Sequence, residues 1–208
     1  MTSSPKRPWY QFSLRSLLLL ITILCLGPGG YIAYERDKAA KDTAAAVAIE
    51  KMGGVVEPNR SSRSALLRRI LGDDRYSNIQ TIGLENFRDD IHVSDADLIH
   101  LRRFRNVKNL YLYNVDVTDA GSPELAALTE LDSLILSRVK ITDTSLVHLA
   151  GMSKLNSLNL DHTQIKGPGL KHLAGLKNLR ILTLGGTEIE PEEIERLQKV
   201  LPNLEISR

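Results

Sequence analysis

Three histidines stand at one phase of a repeating pattern: His100, His148 and His172 each follow an aliphatic residue by seven positions, after Val93, Ile141 and Ile165. Histidine is the commonest metal ligand, so a recurring imidazole raises the question of a shared cation. The spacing argues against one. Packed helical returns lie about 8–10 Å apart, whereas zinc holds its nitrogens at about 2 Å. Glu124 also breaks the column, which therefore reads as a solvated face. His92 lies elsewhere and has no partner in the pattern. Asp73-Asp74 and Asp89-Asp90 are adjacent carboxylates of the sort that do acid–base work, but without a partner at a fixed distance they read as loop residues. Gly185-Gly186 follows an apolar run without the basic residue and helix start of a phosphate loop, so it reads as a turn. No Ser-His-Asp order, nucleophile elbow or cysteine pair is present, and Cys25 is the sole cysteine. What remains is binding chemistry, with no enzyme activity, cofactor or metal expected.

The elements behind these residues are set by a period. A pattern of leucine, two residues, leucine, one residue, leucine starts at Val107, Leu131, Leu155 and Leu179, always at the same step from the last start. Its second half alternates, as a strand with one buried side does. Aliphatic residues follow at Val117, Ile141, Ile165 and Ile189, and apolar positions then recur at every third place, as in Leu146, Leu149 and Met152. That spacing suits a short helical or 3₁₀ return, with Thr118-Asp119 and Thr142-Asp143 placed to cap it. One such unit cannot bury its leucines alone, so the units must stack.

The segments Val93-Ser-Asp, Val117-Thr-Asp and Ile141-Thr-Asp-Thr-Ser-Leu146, read with the strand pattern, resemble the leucine-rich repeat family over about Ile79 to Arg208. The resemblance implies an α/β solenoid with a parallel sheet on the concave face and short helices on the convex face. Departures are visible. Ser122 replaces a stripe leucine, Lys166-Gly167 replaces Thr-Asp, and the first unit, from Ile79 to Val107, is longer than the others. The closing run Leu201-x-x-Leu204-x-Ile206 begins two positions short of a full step from Leu179, so both end units read as caps.

Ahead of the repeats, the whole stretch from Ser16 to Tyr34 carries no charged residue. As a helix it would span about 28 Å, close to a hydrocarbon core of about 30 Å. Trp9, Tyr10, Tyr31 and Tyr34 suit the two interfaces. The run reads as a single-pass anchor, with a cleaved signal peptide as the alternative and a soluble core helix as a third reading. Gly27-Pro28-Gly29-Gly30 interrupts it. Lys6, Arg7 and Arg15 precede it, whereas the charges from Glu35 to Asp42 largely offset one another. The N-terminus is therefore expected in the cytoplasm and the repeats on the non-cytoplasmic side. The organisation expected is a cytoplasmic segment 1–15, a transmembrane or signal-anchor helix 16–34, an Ala- and charge-rich helical stalk 35–58 stopped at Gly53-Gly54, an N-terminal cap 59–78 around Leu66, Leu67, Ile70 and Leu71, and the repeats 79–208. This combination resembles membrane-anchored leucine-rich repeat proteins of planctomycete-type bacteria.

The arginines at 60, 63, 68, 69 and 75 and the group Arg102, Arg103, Arg105 and Lys108 raise the possibility of nucleic acid. From Ile79 onward, however, acidic residues outnumber basic ones, and a nucleic-acid binder needs a sustained positive face. The cap arginines read as mixed solvated surface, with anionic headgroups as the other reading. The residues placed for binding lie between and after the strand leucines: Tyr111, Ile135, Asn159 and Thr183; then Tyr113, Ser137, Asp161 and Gly185; and an outer column of Asn114, Arg138 and His162. Strands about 4.8 Å apart gather Tyr111, Tyr113, Ile135 and Arg138 into one patch of types favoured in protein interfaces. The expected function is a non-enzymatic module that binds a protein or peptide on the concave face. The alternatives are a structural envelope role through self-association and, more remotely, a substrate adaptor of the ubiquitin-ligase kind.

Overall fold

The structure, a computed structural model, describes residues 14–57, 65–72, 75–76, 79–86 and 92–208, without the side chains at 14–28, 65 and 68. The segment before residue 14, Asp73-Asp74 and Asp89-Asp90 therefore lie outside the described residues, as do the side chains of most of the apolar run. Among the described residues no helix is long and apolar enough to cross a membrane.

Among the described residues seven strands form one sheet in chain order: β1 (Val55–Glu57), β2 (Thr81–Glu85), β3 (Asn109–Tyr113), β4 (Ser133–Ser137), β5 (Ser157–Asn159), β6 (Ile181–Thr183) and β7 (Glu205–Ser207). β1 runs antiparallel to β2 and every later pairing is parallel. Leu110, Leu134, Leu158 and Leu182 stand in register and are fully buried. β3 to β6 open with the same link, in which one carbonyl of the preceding coil accepts two N–H groups. The carbonyls of Gln80, Lys108, Asp132 and Asn156 do this in turn.

The α-helices are α1 (Leu14–Lys51), α2 (Ala65–Leu71), the single turn α3 (Ser122–Leu125) and α4 (Pro191–Val200). The other returns are 3₁₀ helices over Asp95–Arg103, Asp143–Leu149 and Pro168–Gly175. The apolar period of three explains this choice. In a 3₁₀ helix residues i and i+3 eclipse, so a strict period of three keeps every apolar group on one side. The i→i−3 bonds continue through Met152 N–H to Leu149 and Leu155 N–H to Met152, carrying the stripe to the next strand. Ser122, where the stripe lacks a leucine, is buried and donates its hydroxyl to the Asp119 carbonyl at 2.8 Å.

Both ends depart from the sequence expectation. Ile194 and Leu197 of α4 close the C-terminal end of the core. An α-helix rises about 1.5 Å per residue against about 2.0 Å in a 3₁₀ helix, so the same return consumes more chain. Leu201 consequently ends the return instead of opening a strand. The sheet pairs Leu182 with Ile206, a full repeat step, in place of the shorter alignment of Leu179 with Leu201.

At the other end, α1 is one continuous helix, so Gly27-Pro28-Gly29-Gly30 does not break it. Its last three turns do not stand clear as a stalk. Ala39, Ala45, Ala46 and Ile49 are buried, and the helix packs against the first 3₁₀ return. Asp42, 3% exposed, receives an ion pair from Arg103 at 3.0 Å. Gly53 ends the helix at φ 86°, and a Cβ on Gly54 would lie 2.5 Å from the Leu84 side chain. The surface that closes the core on this side is therefore α1 and β1. α2, expected to be the cap, leaves Leu66, Leu67 and Ile70 exposed.

Candidate functional site

The concave face is built from the outward residues of the strands, in three columns given directly by the register. Glu85, Tyr113 and Ser137 form one. Gly83, Tyr111, Ile135, Asn159 and Thr183 form the second. Thr81, Asn109, Ser133, Ser157 and Ile181 form the third. The parallel pairing is what gathers these groups, because each coil repeats the same alternation at the same height.

Just past the strand ends the chain turns through the left-handed region at Asn114, Arg138 and His162, with φ of 54°, 56° and 55°, and at Gly186 with φ 67°. That conformation is unfavourable for a residue with a Cβ, so Arg138 and His162 are held there by the coil geometry. Arg138 N–H donates to the Asp161 carbonyl at 2.9 Å and His162 N–H to the Gly185 carbonyl at 2.7 Å. The turn aims the Arg138 side chain back over the sheet, with its guanidinium carbon 6.0 Å from the centre of the Tyr113 ring. This is cation–π range for an exposed pair.

A shallow depression of about 420 Å³ results, lined by Glu85, Tyr113, Ile135, Ser137, Arg138, Asn159, Asp161 and His162. Six of the eight residues expected on the concave face share it. Tyr111 instead borders a neighbouring hollow of about 350 Å³ above Gly83, with Val55, Glu57 and Glu85 around it. Asn114 donates its side-chain amide to the Asn86 carbonyl at 3.0 Å, so it ties one coil to the previous one. Asp161 is also partly committed: it accepts from Asn159 Nδ2 at 2.8 Å and from Gly185 N–H at 2.6 Å. Glu85 and Gly83 were missed by sequence reasoning. The signal was the period itself, because stepping back by the one lengthened coil from Tyr113 and Tyr111 reaches them.

A second polar array runs along the other side of the coils. Asp95 accepts from Thr118 N–H at 2.7 Å and from Thr118 Oγ1 at 2.6 Å. One coil on, Asp119 accepts from Thr142 N–H at 2.8 Å, from Thr142 Oγ1 at 2.6 Å and from Ser145 Oγ. Asp143 completes the ladder with backbone N–H groups of Lys166 at 2.9 Å, Gly167 at 3.0 Å and Gly169 at 2.7 Å. The threonines do cap their own returns, Thr142 Oγ1 accepting from Thr144 N–H at 3.3 Å, but the aspartates reach across to the next coil. Partial burial raises the Asp119 carboxyl, and the bonds from Ser145, Thr142 and Thr144 outweigh it, bringing the pKa from 3.8 to about 2. On the surface, Glu130 bridges Lys154 at 2.6 Å and Lys108 at 3.0 Å, which hold its carboxyl below the usual range. Lys140 and Asp116, 2.8 Å apart, push each other's pKa values apart in the same manner. These groups satisfy one another and serve stacking. His100, His148 and His172 occupy the convex returns, as the pattern implied.

The architecture is a stack of strand-and-return coils, a leucine-rich-repeat-like solenoid with a parallel sheet lining one side. Residues 129–189 match the leucine rich repeat family model. Among solved structures the chain is similar to a leucine-rich repeat protein of Leptospira interrogans, at 28% identity and a TM-score of 0.41, covering 53% of this chain and 33% of that one. It is also similar to two internalins of Listeria monocytogenes, both at 21% identity. The first has a TM-score of 0.39 with 56% of this chain and 37% of that one covered. The second, internalin C2, has a TM-score of 0.45 with 86% and 80% covered. The chain thus spans about a third of the length of the first two. No curated protein matches the sequence.

Proposed function

We propose that this protein is a membrane-anchored, non-enzymatic recognition module, similar to anchored repeat proteins of planctomycete-type bacteria, whose concave sheet binds a protein or peptide. The observation that carries the reading is the Tyr113–Arg138 pair over a depression of about 420 Å³. It joins an aromatic, an aliphatic and a cationic group on a rigid sheet, the composition that concentrates binding energy in interfaces. The leucine rich repeat match at 129–189 supports it, since stacked repeats present extended concave surfaces suited to protein partners. The anchor reading rests on the uncharged run 16–34 and on Lys6, Arg7 and Arg15 before it, which direct the repeats to the non-cytoplasmic side.

The test compares the wild type with Tyr111→Ala/Arg138→Ala in affinity capture from the native envelope. A partner retained equally by both chains rules out the concave face. Mass measured across concentration separates the competing reading, self-association through an end strand, because that requires no partner. Fractionation with a C-terminal tag and external protease reports retention and sidedness together.

A further inference from the structure

The least explained surface of the molecule is α2. Leu66 is 66% exposed, Leu67 43% and Ile70 40%, an apolar cluster on a short helix that closes no part of the core. Isolated exposed leucines are ordinary, but three such groups crowded on one short element make a contact surface. Its position along α1 says what that surface meets. A Cβ on Gly72, the residue after α2, would lie 3.2 Å from the Ala39 Cβ and 3.5 Å from the Arg36 Cα. Arg36 is only two positions past Tyr34, where the uncharged run ends. At about 1.5 Å per residue, the end of α2, level with Arg36 to Ala39, sits about 3–8 Å along the axis from the end of the run. Tyr31 and Tyr34, 57% and 63% exposed, flank the same level. Aromatic residues favour the boundary between headgroups and hydrocarbon.

The charges of this region agree. Arg36, Lys38 and Arg69 are exposed, while Asp37 is engaged by Lys41 at 2.7 Å and Glu35, beside Tyr34, is half-buried. Basic residues beside exposed leucines fit an anionic bilayer surface.

We propose that α2 lies on the bilayer beside the anchor, with Leu66, Leu67 and Ile70 in the headgroup–acyl boundary and Arg69 among anionic headgroups. This rests on the anchor reading above. It makes the contact between solenoid and membrane rigid, because α1 carries both the run and the buried cap of the repeats. The solenoid would then be held in one orientation at the surface instead of swinging on a stalk.

The experiment uses the full chain in a Cys25→Ser background, with a single fluorophore attached at Leu66→Cys or Ile70→Cys, or at the distant and exposed Val200→Cys. It is reconstituted in phosphatidylcholine vesicles carrying acyl-chain bromines, with or without about 30% phosphatidylglycerol. Expected is quenching at 66 and 70 about three times that at 200, stronger with the anionic lipid and reduced by Arg69→Glu. Equal quenching at 66 and 200 in a chain that stays with the vesicles through an alkaline wash overturns the docking and leaves the anchor standing. A chain released by that wash overturns the anchor and the docking with it. Energy transfer between labelled copies without lipid quenching assigns the surface to a second copy and also overturns the proposal.

Discussion

Replacing Asp119 with alanine removes the middle rung of the aspartate ladder, and the same bonds set the size of the effect in two ways. The first counts bonds. Thr142 N–H loses its 2.8 Å acceptor in a half-buried site, while the Thr142 and Ser145 hydroxyls lose theirs. Thr142 Oγ1 can fall back on Thr144 Oγ1, 2.9 Å away, so the backbone N–H carries most of the cost. An orphaned N–H of this kind costs about 1–3 kcal/mol. The second route is linkage. A carboxyl whose pKa falls from 3.8 to about 2 on folding is favoured in its charged form. At about 1.4 kcal/mol per unit the upper bound is about 2.4 kcal/mol, which solvent at the rim of the site reduces to about 1–2 kcal/mol. Because the folded pKa is the lower one, the contribution is complete above the unfolded pKa and is lost as pH falls from about 5 through about 2. Urea unfolding of the full chain in mild detergent, followed by circular dichroism at about pH 7 and about pH 3, measures both quantities. Asp119→Ala should lose about 2 kcal/mol at the higher pH and distinctly less at the lower one. Other depressed carboxyls, Glu130 and Asp116, titrate in both chains and cancel in the difference. A loss that is the same at both pH values, or below about 0.5 kcal/mol, refutes the ladder as a source of stability.

Three further outcomes follow from the geometry. Asp42 is buried and Arg103 is 41% exposed in its side chain, so Arg103→Ala, which strands the acid, should cost about 3 kcal/mol and Asp42→Ala about 1 kcal/mol; thermal melts in the reverse order would contradict the assignment. Gly169→Ala places a Cβ 2.6 Å from the Asp143 carbonyl oxygen and should destabilise by about 2 kcal/mol in the same melts, whereas Gly151→Ala, with open space around it, should stay within about 0.5 kcal/mol. His162→Gly relieves a residue at φ 55° and should gain about 0.5 kcal/mol, while Gly186→Ala at φ 67° should lose more than about 1 kcal/mol, partly against the His162 ring.

The repeating part of the fold was legible because leucine spacing maps onto geometry without ambiguity. Alternation placed the strands, a period of three placed the 3₁₀ returns, and the constant repeat step became the register of β3 to β6. The N-terminal cap was not legible, for a definite reason. Its buried stripe on α1 is Ala39, Asp42, Ala45, Ala46 and Ile49, which has helical spacing but only one large apolar group and a carboxylate among the alanines. Alanines bury little area, and Asp42 signals solvent until Arg103, far along the chain, is seen beside it. The more hydrophobic α2 looked the better cap and is the one left exposed. Hydrophobicity alone cannot tell a helix that covers a core from one whose apolar groups stay at the surface.

The candidate site was legible to the same degree as the register that builds it. Tyr113, Ile135, Arg138, Asn159, Asp161 and His162 converge because they share a phase, and Glu85 escaped because the first coil is longer than the rest. What no spacing conveys is how the work is divided between the two sides of the coil. Stacking is secured by the leucines and by the Asp95–Asp119–Asp143 ladder, which lies away from the concave sheet. Tyr111, Tyr113 and Ile135 are only half-buried and take no part in that ladder. They can therefore differ from coil to coil while the core repeats, and removing them should alter recognition without unfolding the stack. Asp161 is the exception, since Gly185 N–H depends on it, so a loss of binding in Asp161→Ala would carry a structural contribution that Tyr111→Ala would not.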